Sequence, residues 1–380
     1  MKQLLAFCES ERVWLRRAIE RLAAIESPTL DPPAADACGA ALAAELAAIG
    51  GRVRTVPVQG CASHVIAEFG DGDRPILLLG HFDTVWPVGT LDTMPIVERD
   101  GCLFGPGVLD MKSGIAVGAL ALRALGAPGS GRLPHVVFLL TSDEETGSQT
   151  SRSLIEDEAR RSRAVLVLEP GLPDGGLKTA RKACGQFEIS VAGVAAHAGI
   201  APEKGANAIL ELCERILEVE RLQDPALGTS LTVSLVSGGT RSNVVPARAT
   251  ATVDARAFSK AEVERVTEAL FGLRARRAGT AVEVTGGIER PPLERSPAVV
   301  ALYAQALAVG RELGIRVTEG ATGGGSDGNF TAALGVPTLD GLGGVGDGAH
   351  AVHEHVVLEA LTPRAALVAG LIRAIWASES

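Results

Sequence analysis

No block of lysine or arginine stands out along the 380 residues, and the formal charge is -9 at pH 7. A chain without a basic footprint is poorly suited to nucleic acid, whose phosphates demand one. Aromatic residues make up only 3% of it, and neither they nor basic residues pattern the strands as an RNA-stacking surface requires. No apolar run approaches the length of a membrane span. The six cysteines (Cys8, Cys38, Cys61, Cys102, Cys184, Cys213) are scattered, without a CxxC pair or a compact framework. They read as reduced thiols in a cytoplasm. There is no internal repeat or low-complexity tract. The glycine-rich pieces GGGSDGNF and GLGGVGDGAH lack the strand-to-helix setting of a dinucleotide fingerprint, and no Walker motif is present, so phosphate cradling is a poor reading. The opening MKQLLAFCES has a short apolar run followed at once by charged ESERVWLRR. It reads as an amphipathic helix rather than a secretion signal. Small molecules are the better candidate partners.

What the chain does have is a 46% hydrophobic, glycine-rich composition, which suits a packed α/β protein. Its length is too great for one core, so two domains are expected. SHVIAEFG, RPILLLG, HVVFLLT and AVLVLEP are short, apolar and bounded by turn residues, and SGIAVGALALRALG reads as a helix between the second and third. Such alternation implies an α/β layer with a largely parallel sheet. After about Arg181 the order becomes strand (GQFEISVAG), helix (EKGANAILELCERILEVERL), two strands (LTVSLVSGG, RATATVDARAF), a serine-capped helix (SKAEVERVTEALFGLRARRA) and a strand (TAVEVTGGI). That is the βαββαβ, ferredoxin-like unit. Past ERPPLERSP the α/β pattern resumes, with a helix from Pro297, the strand GVPTLDGLG and a last helix TPRAALVAGLIRAIW. The expected organisation is therefore a first catalytic part at 1–181, an inserted domain at 182–292 and a second catalytic part at 293–380.

The polar residues collect where strands end. RPILLLGHFD delivers His81 and Asp83, HVVFLLTSDEE delivers Asp143, Glu144 and Glu145, and VLVLEP delivers Glu169; GPGVLDMKSG places Asp110 just before a helix. Ligands of an open α/β sheet gather outside the carboxyl ends of its strands. Acidic groups converging there repel one another unless a cation balances them, so a metal is the economical explanation. Mixed imidazole and carboxylate donors suit zinc best, with manganese or cobalt as alternatives. In the pair Glu144 and Glu145, one carboxylate can bind metal while its neighbour serves as general base.

The segments GHFDTV, GPGVLDMKSG, TSDEETGS, VLEP, GVAAHAG, GGTRSNVVPARATATVDAR and GGGSDGNFTAALGVPTLDGLG…GAH resemble, in order, the motifs of the dizinc aminoacylase/carboxypeptidase family, peptidase family M20. Its members include glutamate carboxypeptidases, acetylornithine deacetylase and succinyl-diaminopimelate desuccinylase, and the resemblance is greatest to the glutamate carboxypeptidase (carboxypeptidase G) branch. It covers nearly the whole chain. It implies a zinc-peptidase-type mixed sheet flanked by helices, with the inserted ferredoxin-like domain acting as lid and dimerisation domain of a homodimer. It implies two zinc ions, with His81, Asp110 and Glu169 holding one, Asp110, Glu145 and His350 the other, and Asp110 bridging. Asp83 would orient His81, which gives that strand end its purpose. Glu144 would be the general base, and the peptide between Asp110 and Met111 would be cis. Of the three histidines in GAHAVHEHV, His350 matches the ligand position; His353 and His355 are read as rim side chains, and His64 and His135 as structural.

For the lid, the resemblance implies that His197 reaches a partner's active site and polarises the scissile carbonyl. Asn243 and Arg256 match positions that bind the substrate carboxylate, Arg256 as a two-pronged clamp. Gly325 would present backbone to the substrate, and Lys178 and Arg181 would add positive charge near a second carboxylate. The function expected is release of a C-terminal amino acid, with glutamate foremost, from a peptide or N-acyl conjugate. The alternative is an N-acyl-amino-acid deacylase, and the remote one a binding protein that kept the fold and lost the chemistry.

Overall fold

The strand Ile76–His81 is buried at every residue, and so are Val136–Thr141 and Ala164–Val167. Strands covered on both faces read as unbroken apolar runs, and these do. In the computed structural model, which describes residues 1–378, they form the centre of a six-stranded sheet. Its order is Arg52–Val56, His64–Phe69, Val136–Thr141, Ile76–His81, Ala164–Val167, Thr338–Leu339. The Ile76–His81 strand pairs in parallel with both neighbours, as Thr338–Leu339 does with Ala164–Val167. Both pairings of His64–Phe69 are antiparallel. The sheet is mixed, and its parallel half is the half that carries the acidic strand ends.

Two features escape the sequence pattern. RVRTV forms the edge strand Arg52–Val56, mostly exposed and without apolar alternation. A second sheet joins Val97–Arg99, Cys102–Phe104, Gly346–Asp347 and His355–Val357, strands too short to show a period. This small sheet sets His355 opposite Phe104, bringing the segment after His350 beside the turn that leads to Asp110.

The helix Ser113–Gly126 lies across the large sheet with nearly every residue buried. Its Gly114 faces the carbonyl oxygen of Leu168 so closely that a Cβ there would collide with backbone. Only glycine lets the helix settle against the end of that strand, and the next residue is Glu169. The last helix, Leu358–Ala377, corrects one expectation: it is long and apolar enough to cross a membrane by length and composition. Arg364 and Arg373 break up its apolar run in the sequence. In the fold 67% of its most apolar window is buried against helices Lys2–Ser10, Ser113–Gly126 and Pro297–Leu313, the position of a core helix. It also starts at Leu358, ahead of the expected Thr362, because Pro363 sits inside it instead of opening it. MKQLLAFCES folds as the helix Lys2–Ser10 with Leu4 and Cys8 buried.

The chain divides into two units. One comprises residues 1–179, 295–321 and those from 326 onward; the other comprises 180–294 with 322–325. In the second, Ala183–Ala192, Ser230–Gly238, Arg248–Ala257 and Ala281–Arg290 form an antiparallel sheet, with Arg248–Ala257 and Ala183–Ala192 at its centre. Phe187, Ile189 and Val191 alternate with solvent-facing residues along one strand, as Ala249, Ala251, Val253 and Ala255 do along the next. They pack with Leu212 and Val219 of helix Ala208–Glu220 and Val266 and Leu270 of helix Lys260–Phe271. The unit has a core of its own, in the βαββαβ order read from the sequence.

Candidate metal centre

His81 is the last residue of its strand, and Asp83 lies just beyond it, both buried. His81 Nδ1 sits 3.1 Å from the Asp83 carbonyl oxygen and 3.3 Å from its Oδ1. These acceptors hold the proton on Nδ1 and leave Nε2 to face the cleft. Asp83 does a second job. Its Oδ1 accepts from the Glu144 backbone N–H at 3.3 Å, and its Oδ2 from the Glu145 N–H at 3.2 Å and the Thr29 hydroxyl at 2.7 Å. One carboxylate thus orients the imidazole and pins the turn bearing the paired glutamates.

His81 Nε2 lies 3.3 Å from Asp110 Oδ1 and 3.4 Å from Glu169 Oε1. His350 Nε2 lies 3.5 Å from Asp110 Oδ2 and 3.1 Å from Glu145 Oε2. The structure therefore brings together two groups, His81–Asp110–Glu169 and Asp110–Glu145–His350, with all donor atoms of each within 4.8 Å. Asp110 belongs to both, one oxygen toward each. The peptide after it is cis. His350 adopts φ 62°, a left-handed conformation unusual outside glycine, and such residues concentrate at functional sites.

The electrostatics state what the cluster wants. Burial would push the His81 imidazole down, but Asp110, Asp83 and Glu169 outweigh it and hold it well above its ordinary value. His350, between Asp110 and Glu145, is raised to about 10. Burial raises the Asp110 carboxyl, and the imidazoles of His350 and His81 more than reverse this. Burial, with Asp110 adding its charge, leaves Glu145 raised despite His350. Three carboxylates converging on two imidazoles need cations between them, protons or metal. Asp110 Oδ1 is buried and accepts no hydrogen bond, an orphan that a metal ion would satisfy. The donor set of imidazole nitrogen and carboxylate oxygen fits a divalent transition metal in each group.

The model of peptidase family M20/M25/M40 matches residues 77–374. The chain belongs to that family. It is 31% identical over 373 residues to carboxypeptidase G2 of a Pseudomonas species, covering 96% of this chain and 89% of that protein. It is 28% identical over 358 residues to succinyl-diaminopimelate desuccinylase of Bordetella petrii, covering 89% and 92%. Its fold superposes with a TM-score of 0.71 on a Bacillus subtilis protein described as a dinuclear metal-binding peptidase of the M20 family, at 17% identity over 98% and 99% of the two chains. This M20 chain is accordingly a hydrolase acting on peptide or amide bonds, with a metal-binding cluster at its strand ends.

The remaining candidates fall in different places. Glu144 opens the turn Glu144–Thr146, half-buried, directly before Glu145. His197 is exposed on the second unit, where its Nδ1 accepts from the Gly199 N–H and its backbone bridges to Val244. Asn243 is exposed beside it, its carbonyl accepting from Ala198. Arg256 is already engaged, by both oxygens of Asp254 at 2.9 and 3.1 Å, by Cys184 Sγ at 2.9 Å and by the Gly323 carbonyl. A Cβ at Gly325 would meet Cys184 Sγ at 2.8 Å and the Arg290 side chain at 3.0 Å, so a larger residue there requires those side chains to shift. Lys178 and Arg181 are 9% and 3% exposed; Arg181 donates to the carbonyls of Gly324 and Gly325. His64 is buried between the Ser142 and Thr150 hydroxyls and His135 meets Glu68 at 2.9 Å, both structural partners. His353 is exposed, and His355 stacks on Phe104. Sequence reasoning missed Glu354, buried between those two histidines. Its partners are backbone and indole N–H groups, which no residue pattern marks.

Proposed function

We propose that this M20 hydrolase is a dizinc enzyme releasing a C-terminal amino acid, glutamate foremost, from a peptide or N-acyl conjugate. The observation that carries the reading is the pair of ligand groups sharing Asp110, beside a glutamate turn pinned by Asp83. His81, Asp110 and Glu169 would hold one ion, and Asp110, Glu145 and His350 the other. Two zinc ions there would supply Lewis acidity, acidifying water and polarising the scissile carbonyl. The Glu144 carboxylate takes the proton of the attacking water and returns it to the leaving nitrogen. His197 reaches the active site of a partner subunit and donates there to the developing oxyanion. Arg256, with Asn243, receives the free carboxylate of the substrate, while Gly325, Lys178 and Arg181 shape and charge its surroundings. The similarity to carboxypeptidase G2 over 96% of the chain supports the carboxypeptidase assignment. Six free cysteines suit a reducing cytoplasm. A homodimer through the second unit is supported by the exposed Leu235 and Val236 on its edge strand Ser230–Gly238.

A second reading has its own support: the similarity to a desuccinylase makes an N-acyl-amino-acid deacylase the competing assignment. The purified protein is loaded with zinc and offered C-terminal glutamate, aspartate and alanine conjugates beside acetyl and succinyl amino acids, with chelator as control. Chelator-sensitive glutamate release from peptide or aromatic acyl conjugates is the expected result. Turnover confined to small acyl groups would transfer the assignment to the deacylase.

A further inference from the structure

One carboxylate outside the two ligand groups ties together three segments that carry them. Glu354 is fully buried. Its Oε1 accepts from the backbone N–H of Leu109 at 2.9 Å and of Asp110 at 3.1 Å. Its Oε2 accepts from the Gly107 N–H at 2.9 Å and from Trp86 Nε1 at 2.8 Å. Trp86 stands on the loop that follows His81 and Asp83. Gly107, Leu109 and Asp110 form the turn that ends in the shared carboxylate. His350 precedes Glu354 in a turn closed by hydrogen bonds from Ala351 to Gly348 and from Glu354 to Ala351. The Glu354 carbonyl also accepts from the Gly105 N–H.

Burial pushes the Glu354 carboxyl above its ordinary range, and four donors, two on each oxygen, offset part of that cost. Satisfying loose backbone donors would not by itself need this arrangement. Two adjacent N–H groups converge on one oxygen, so the backbone at Asp110 cannot tilt without losing a bond. That tilt decides where the side chain points, with Oδ1 at 3.3 Å from His81 Nε2 and Oδ2 at 3.5 Å from His350 Nε2.

We infer that Glu354 is a positioning residue: by fixing the Asp110 backbone between the His81 and His350 segments, it sets the spacing of the two metal positions. The inference rests on the dinuclear reading above. Residues that orient ligands from behind typically govern metal affinity by roughly 10–100-fold.

The test uses full-length protein stripped of metal and titrated with Co2+, read by its visible absorption, with thermal melts of the same samples. Glu354→Gln replaces one acceptor oxygen by an NH2 group that cannot accept and that meets two N–H donors whichever way the amide turns, so the clamp at Leu109–Asp110 loses its fit. Trp86→Phe removes one donor but leaves both bonds to the Leu109–Asp110 backbone. Glu211→Gln is the control for lost stability alone, since Glu211 is equally buried and accepts backbone bonds from Arg276 and Arg277 in the second unit. The expected result is two equivalents bound by the parent and by Glu211→Gln with equal affinity. Glu354→Gln should bind both ions roughly 10–100-fold more weakly, with an altered absorption band, and Trp86→Phe should sit near the parent. Parental affinity and spectrum in Glu354→Gln, whatever its melting temperature, would overturn the inference. Fewer than two equivalents in the parent would instead bring down the dinuclear reading and the inference with it.

Discussion

At the scale of single residues, Glu144 stands beside the ligand groups without belonging to either. A carboxylate that shuttles a proton without holding metal separates catalysis from ligand binding. Glu144→Gln should therefore lower kcat by roughly 100–10,000-fold while the metal content stays at the parental value, measured by elemental analysis of the same preparation. Loss of metal together with activity would make Glu144 a ligand instead. His81, Asp110, Glu145, Glu169 and His350 were legible because each follows an apolar strand or sits in a quoted family motif, and the structure brings their donor atoms together. Glu354 was not legible: it acts through backbone N–H groups more than 200 positions away, and every residue offers such groups. Lys178 and Arg181 are buried, a placement that a basic residue type does not announce.

At the scale of elements, the helices were readable where periodicity, a cap and a breaker agreed. Ser259 does cap Lys260–Phe271, accepting from the Glu262 N–H. Glu262 in turn accepts from Arg265 and from the Thr229 hydroxyl. Those two partners, Arg265 first, hold its carboxyl down to about 2 from 4.5. A lowered value means that the ionised form stabilises the fold above pH 4.5, and that the contribution fades as pH falls toward 2. Arg265 is 41% exposed, so solvent screening limits the effect to about 1 kcal/mol. Urea unfolding should show Glu262→Gln less stable than the parent by that amount at pH 7, with the gap narrowing between pH 4.5 and 2. A gap constant across that window would assign the loss to packing. What periodicity could not show is why the helix Ser113–Gly126 contains Gly114, because the reason is the Leu168 carbonyl in another element. Gly114→Ala should lift that helix off the strand end beside Glu169 and destabilise the protein by about 1–3 kcal/mol, with weaker metal binding as the accompanying sign. An unchanged urea midpoint would mean the backbone yields there freely.

At the scale of the whole molecule, the insertion of one unit into another was legible because the order of elements changes from alternating strand and helix to βαββαβ and back. The mixed character of the large sheet was less so, since antiparallel partners at its edge leave no mark in an apolar run. The division has an energetic consequence. Every atom of the two ligand groups belongs to the first unit, while the second has a separate core built on Phe187, Val253, Leu212 and Leu270. A ligand stabilises what binds it by an amount set by its concentration over Kd, about 2.7 kcal/mol at a hundredfold excess. Chelation should therefore speed hydrogen exchange in the strands Ile76–His81 and Val136–Thr141 and leave Ala183–Ala192 and Arg248–Ala257 nearly unchanged, if the units open independently. Mass-resolved exchange with and without chelator reads both at once. Equal acceleration in all four strands would show that the two cores unfold as one cooperative body, and that metal occupancy stabilises the inserted unit as well.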